Sequence, residues 1–219
     1  MSEWIDITRP VDETLITWPG RSRPTRQWEK SLAAGDHCNV SSWEWNAHSG
    51  THVDAPLHFI ERGHSIDQIP PDLFLGDCQV VELAPGNFAP MDEKAARRYA
   101  GTKRLLVKTG HSLPSPERFY EAHEMLMTEN AASLLLESGL MLIGTDRLSV
   151  DDSKGRSFGL HRLFLGAGCI IVEGLLLTDI KEGAYYLSAL PLRLSGAEAS
   201  PIRALLKQKP MDQMKDDFQ

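Results

Sequence analysis

Apolar residues in this chain fall in short runs separated by Gly- and Pro-containing segments rather than in long helical stripes. Such runs predict strands at Trp4–Thr8, Leu15–Trp18, Val40–Trp45, Cys78–Leu83, Leu105–Lys108, Leu140–Gly144, Cys169–Val172 and Tyr185–Leu194. Val40-Ser41-Ser42-Trp43-Glu44-Trp45 alternates apolar and polar, as a strand with one wet face does, whereas Leu105-Leu106-Val107 and Cys169-Ile170-Ile171-Val172 read as buried on both faces. Helical signals are fewer. Pro90 leads into Met91–Arg98, with acids early and basic residues late, which complements the helix dipole. Thr128 is the expected N-cap of a helix over Glu129–Ser138 that stops at Gly139. Strands interleaved with helices predict an α/β fold with a mixed sheet, and no repeat or linker divides residues 1–219 into more than one domain. The polar tail Met211–Gln219 is expected to be mobile.

Composition narrows the function classes. With 42% hydrophobic and 24% charged residues and a net charge of −7, the chain is an ordinary globular protein without a basic face for nucleic acid. No stretch approaches the roughly 20 apolar residues of a membrane span, and Met1–Asp6 lacks the features of a signal peptide, so a cytoplasmic protein is expected. Cys38, Cys78 and Cys169 are too far apart for a CxxC pair and are expected to be small buried hydrophobes.

Chemistry concentrates in one segment. His48-Ser49-Gly50-Thr51-His52-Val53-Asp54-Ala55-Pro56-Leu57-His58 packs three imidazoles and a fourth polar ligand, the Asp54 carboxylate, into eleven positions. If it runs extended, His48, His52, Asp54 and His58 share one face, while Thr51, Val53, Ala55 and Leu57 share the other. Imidazole and carboxylate together suit zinc, manganese or iron; scattered surface histidines are the bland alternative. Two residues downstream are candidates to complete such a site. Glu173 ends an apolar strand, where an unpaired carboxylate is costly to bury and a cation would remove the cost, and His161 lies on an expected short helix. His64 reads as a surface-loop residue, and His111 follows a buried strand where a substrate contact is possible. His37 and His123 need no role. Trp18, Trp43 and Trp45 are candidates for an aromatic wall, Trp43 and Trp45 more simply for strand packing.

His48 to Phe59, which reads His-x-Gly-Thr-His-x-Asp-x-Pro-x-His-Phe, resembles the signature of the cyclase-like metal-dependent hydrolases, whose best-known members are bacterial kynurenine formamidases (arylformamidases). The resemblance extends through Trp4–Thr8, Trp18-Pro19-Gly20, Leu142–Asp146, Glu173-Gly174, Ala189–Leu192 and Ala199–Arg203. It implies a partly barrel-like mixed β-sheet with flanking helices, of the swivelling β/β/α kind, and a homodimer or homotetramer. It also implies two divalent ions per chain, zinc first and manganese or iron as alternatives, held by His48, His52, Asp54, His161 and Glu173. Asp54 would bridge the ions, and Glu173 would be able to touch both. His58 matches the catalytic acid/base and Trp18 a substrate-contacting aromatic residue. The implied reaction is hydrolysis of a small-molecule amide, N-formyl-L-kynurenine to L-kynurenine and formate, by a metal-activated water. A cyclic amide such as isatin is the alternative substrate, and a metal-binding protein without turnover is the alternative class. Asp146-Arg147-Leu148-Ser149-Val150-Asp151 departs from the formamidase pattern Asp-Thr-Pro-Ser-x-Asp. Arg147 is therefore a candidate for binding a substrate carboxylate, against the alternative of pointing to solvent or pairing with Asp151 or Asp152.

Overall fold

A computed structural model describes residues 4–18, 20–83, 89–110, 125–152 and 158–209. The tail Met211–Gln219, His111 and His123 lie outside them. The doubly apolar runs form the centre of the sheet, where β5 (Leu75–Glu82), β6 (Arg104–Lys108), β7 (Leu142–Thr145) and β8 (Ile170–Glu173) lie parallel. Both flanks turn antiparallel. On one side β9 (Gly183–Ser188) pairs with β5, β11 (Leu205–Gln208) with β9, and β1 (Trp4–Asp6) with β11. On the other, β4 (His52–Asp54) pairs with β8 and β10 (Ala199–Pro201) with β4. The order is β1-β11-β9-β5-β6-β7-β8-β4-β10, and the sheet curls into a half-barrel.

The period-2 alternation of strands sorts the apolar residues into two cores. Cys78, Val80, Leu106, Leu142, Ile170 and Val172 face the concave core with Val53 and Ala55. Val81, Leu105, Val107, Ile143 and Ile171 face the helices. Those helices are α1 (Glu93–Ala96), α2 (Glu129–Glu137) and α3 (Gly159–Gly166). Thr128 caps α2 by accepting from the Ala131 N–H at 3.1 Å, and Gly139 follows at φ +100°. The expected helix over Met91–Arg98 is shorter: Asp92 caps α1, which tightens to a 3₁₀ turn over Arg97–Tyr99.

Several expected strands differ. Leu15–Trp18 is a loop that satisfies its own polar groups, Thr17 Oγ1 donating to the Arg21 carbonyl and the Arg21 N–H to that of Trp18. Tyr185–Leu194 ends as a strand at Ser188. Val40–Trp45 forms β3 (Val40–Glu44), but its partner is the polar β2 (Thr25–Lys30), and the two make a separate hairpin with both faces wet. Trp43 is therefore exposed, as is Cys38 just before the strand, while Cys78 and Cys169 are buried as expected.

One close approach positions the site. Gly174 follows β8 at φ +68°, and a Cβ there would lie 2.2 Å from the Gly50 carbonyl oxygen. Gly139, at φ +100°, has open space around it. Gly174→Ala should therefore cost at least about 2 kcal/mol, a drop in Tm of roughly 4–8 °C, whereas Gly139→Ala should cost clearly less. Thermal melts of both variants check the difference; equal shifts would mean that the Gly50 contact yields easily.

Candidate metal centre and active site

The antiparallel register of β4 and β8 sets His52 directly opposite Glu173. Within β4, period-2 alternation carries Asp54 to the same face as His52 while Val53 enters the core. The expected extended run from His48 to His58 holds only over His52–Asp54. His48 arrives from a turn, its N–H donating to Asn46 Oδ1, and His58 closes a 3₁₀ turn over Pro56–His58. The imidazoles still converge. The His48 and His58 rings lie 4.1 Å apart, His48 and His52 5.3 Å, and His58 and His161 6.0 Å.

Asp54 and Glu173 are buried. His52 Nε2 stands 3.5 Å from an oxygen of each, and His161 Nε2 stands 3.6 Å from Asp54 Oδ2 and 3.4 Å from Glu173 Oε1. These separations exceed a good hydrogen bond and match the edges of a tetrahedron of ligands with bonds of about 2.0–2.1 Å. His52 Nε2 and both Asp54 oxygens have no well-formed hydrogen bond, although His48 Nδ1 comes within 2.8 Å of Asp54 Oδ1. Glu173 Oε1 accepts from the Val150 N–H at 2.9 Å. His52 Nδ1 faces the Gly50 carbonyl at 3.0 Å, an acceptor only, so Nδ1 holds the proton and the Nε2 lone pair points at the carboxylates. Buried, unpaired and convergent, this donor set suits a divalent metal. Side-chain atoms of His52, Asp54 and Glu173 that could hold a metal ion lie within 4.8 Å of one another, as do those of His48, Asp54 and His58.

The electrostatics separate the histidines. Burial opposes a charge on His161, but Asp151, Asp54 and Glu173 outweigh it and push its pKa up to about 12. His48 is raised more modestly, burial being overcome by Asp54, Glu173 and Glu198. Burial pushes His58 down to about 4; Asp54 resists, and the neighbouring imidazoles add to the fall. Burial would raise Asp54, yet His161 and His48 hold it well below the ordinary carboxylate range.

Three residues went unnoticed in the sequence as parts of this site. Glu198 Oε1 lies 3.2 Å from His48 Nε2. Asp151, read in the sequence as the last residue of the Asp146–Asp151 segment and as an ion-pair partner for Arg147, accepts from His161 Nδ1 at 2.6 Å. Arg9 is buried; its N–H donates to Thr51 Oγ1 and its guanidinium to the Asp146 and Leu175 carbonyls. A lone Glu or Arg beside no motif gives no local signal, whereas Asp151 matches the final Asp of the formamidase pattern. Arg147 is buried rather than turned to solvent, and its carbonyl accepts from the Gly174 N–H at 2.7 Å. Trp18 is half-buried, and no described ring or hydrogen-bond contact joins it to the cluster. His64 and His37 are exposed.

The model of the Cyclase family matches residues 5–152. The chain belongs to this family. It is similar to the kynurenine formamidase of Salinibacter ruber, 32% identical over 94% of this chain and 98% of that one. It is also similar to the kynurenine formamidase of Bacillus cereus, again at 32% over 94% and 98%. Among solved structures it resembles a predicted metal-dependent hydrolase from Bacillus stearothermophilus, with a TM-score of 0.77 and 29% identity over 93% of this chain and 97% of that one. Isatin hydrolase A from Labrenzia aggregata has a TM-score of 0.81 at 21% identity, covering 93% and 92%, which shows a shared fold.

The His161 shift has a thermodynamic consequence for this cyclase-family protein when metal-free. Its folded pKa lies above the unfolded value of 6.5, so the stabilisation is complete below about pH 6.5 and is lost as pH rises toward about 12. The stability advantage of metal-free wild type over His161→Gln should shrink between pH 6 and pH 9 by roughly 1 kcal/mol per pH unit. Urea unfolding at both pH values measures it; an advantage that is flat or grows with pH contradicts the assignment.

Proposed function

We propose that this chain is a metal-dependent amidohydrolase that cleaves aryl formamides, N-formyl-L-kynurenine in particular, giving the free arylamine and formate. The observation that carries the reading is the pairing of a buried His and carboxylate cluster with a neutral histidine, His58, beside it. The names of the curated relatives support the substrate class. His52, His161, Asp54 and Glu173 would hold one divalent ion, and His48 with Asp54 would hold part of a second, Asp54 being shared. Zinc is the proposed metal. When bound, such ions lower the pKa of a coordinated water from 15.7 toward about 7 and polarise the substrate carbonyl. His58 enters the reaction unprotonated, as a base must. It takes the proton released as water adds to the formyl carbon and returns it to the aryl nitrogen as the C–N bond breaks.

A homodimer or homotetramer is proposed as the working state, in the cytoplasm. The β2–β3 hairpin supports association: Trp28, Trp43, Leu32 and Val40 are exposed on and beside it, and an isolated two-stranded hairpin is marginal without something to pack against.

A turnover screen of N-formyl-L-kynurenine, formanilide and isatin with metal-free and zinc-loaded protein tests the reading. Formylkynurenine should give the highest kcat/KM, and only with metal; preference for isatin, or no turnover with any metal, would overturn it. Arg147 is the proposed contact for the substrate carboxylate. Arg147→Met should raise KM for formylkynurenine about tenfold and leave formanilide nearly unchanged.

His58→Ala should lower kcat by roughly 10²–10⁴ while metal content stays near wild type. Asp54→Ala should empty both metal positions. Elemental analysis of the three proteins decides between acid/base and ligand: loss of metal from His58→Ala would make His58 a ligand, and wild type saturating at one ion per chain would remove the second position.

A further inference from the structure

The N-terminus of α3 begins at Phe158, which has a left-handed backbone (φ 47°, ψ 49°) and no side-chain oxygen to cap the helix. Asp151, from the loop after β7, supplies what is missing. Its Oδ1 accepts the Leu160 N–H at 2.9 Å and its Oδ2 the His161 N–H at 3.0 Å. The same Oδ2 lies 2.6 Å from His161 Nδ1. Asp151 is buried, and each of its oxygens already accepts a backbone N–H, so both act as acceptors. An ionised carboxylate only accepts, so the proton must sit on Nδ1. Nε2 is the nitrogen that faces Asp54 and Glu173, and a metal arriving there displaces only the Nε2 proton.

We propose that Asp151 is a positioning residue that fixes the tautomer and orientation of His161 for metal binding through Nε2, while its second hydrogen bonds anchor the helix that carries the ring. This rests on the reading of His161 as a ligand. A carboxylate behind a metal-bound imidazole both aims the ring and makes it more basic. The neutral amide at this position would disturb this without emptying the space. In Asp151→Asn one oxygen can still cap the helix, since Asn caps as well as Asp. The other atom becomes an NH₂ that donates, and whichever way the amide turns, either the cap or the Nδ1–H bond loses its acceptor. With the oxygen on the Leu160 N–H, the NH₂ lies against Nδ1 and drives the proton to Nε2, leaving no lone pair there for a metal.

Zinc affinity of the full chain, measured by competition with a chromophoric chelator, is the readout, alongside Tm of each metal-free variant. Asp151→Asn should weaken zinc binding about 10–100-fold. His161→Ala should weaken it at least as much, and Asp151→Asn added to His161→Ala should cost nothing further, because the carboxylate acts through the ring. Near-wild-type affinity in Asp151→Asn overturns the proposal, leaving a helix cap that Asn rescues. An equal loss from Asp151→Asn with and without His161 also overturns it. If His161→Ala itself binds zinc like wild type, the ligand reading fails first, a result distinguishable from both. Asp151→Glu, which restores the charge, covers the case in which the Asn variant melts too low to assay, and should retain more affinity than Asp151→Ala.

Discussion

Two carboxylates buried against each other dominate the region where β4 meets β8. Asp54 and Glu173 share the imidazoles of His52 and His161, out of water. Removing an ionised carboxylate from water carries an effective penalty of several kcal/mol, and two together add mutual repulsion. A concentrated positive charge between them offsets this, as a proton on His161 without metal or as a divalent cation with it. Folding and metal loading would therefore be linked, since an ion held here would need ligands that only the folded sheet assembles.

The backbone leaves that cluster little freedom. Parallel pairing stops at β8, and the antiparallel β4 brings the start of the His52–Asp54 strand against the end of the Ile170–Glu173 strand. Beyond the pair, Gly174 abuts Gly50, and the Thr51 hydroxyl donates to the Gly174 carbonyl at 2.7 Å. Arg9 then joins the Thr51 hydroxyl to the Asp146 and Leu175 carbonyls. A side chain at position 174 or a shorter cation at position 9 would move the strands that carry His52, Asp54 and Glu173. Small residues and buried polar ties here hold the geometry, and the chemistry rests on it.

How much of this was legible in the sequence depends on how far each signal reaches along the chain. The doubly buried strands β6 and β8 were readable because apolar runs between glycines have few other uses, and the α2 cap at Thr128 because its partner is three residues away. The density of His48, His52, Asp54 and His58 marked the site by itself. β2 was missed because Thr25–Lys30 has no buried face to leave an apolar pattern, and β10 because Pro201 argues against a strand except at an edge, where β10 lies. Asp151 and Glu198 escaped for a different reason. Glu198 serves a histidine 150 residues away and Asp151 one ten residues away across a helix start, and a single carboxylate carries no periodicity that announces its partner.

The distribution of carboxylates also explains why neighbouring, chemically identical rings can have different tasks. His48 presents both nitrogens to acids, Asp54 at 2.8 Å and Glu198 at 3.2 Å, and its pKa rises. His58, with its ring 4.1 Å away, forms no ion pair among the described residues, and burial beside other imidazoles pushes it down to about 4. One ring thus attracts positive charge and the other repels it. Environments that drive two like groups apart are what assigns acid and base roles in one site. His58 is held at the end of the Pro56–His58 turn, its N–H donating to the Ala55 carbonyl at 2.9 Å, which places its backbone beside the cluster. In the proposed mechanism its availability as a base follows first from burial and then from the imidazoles beside it.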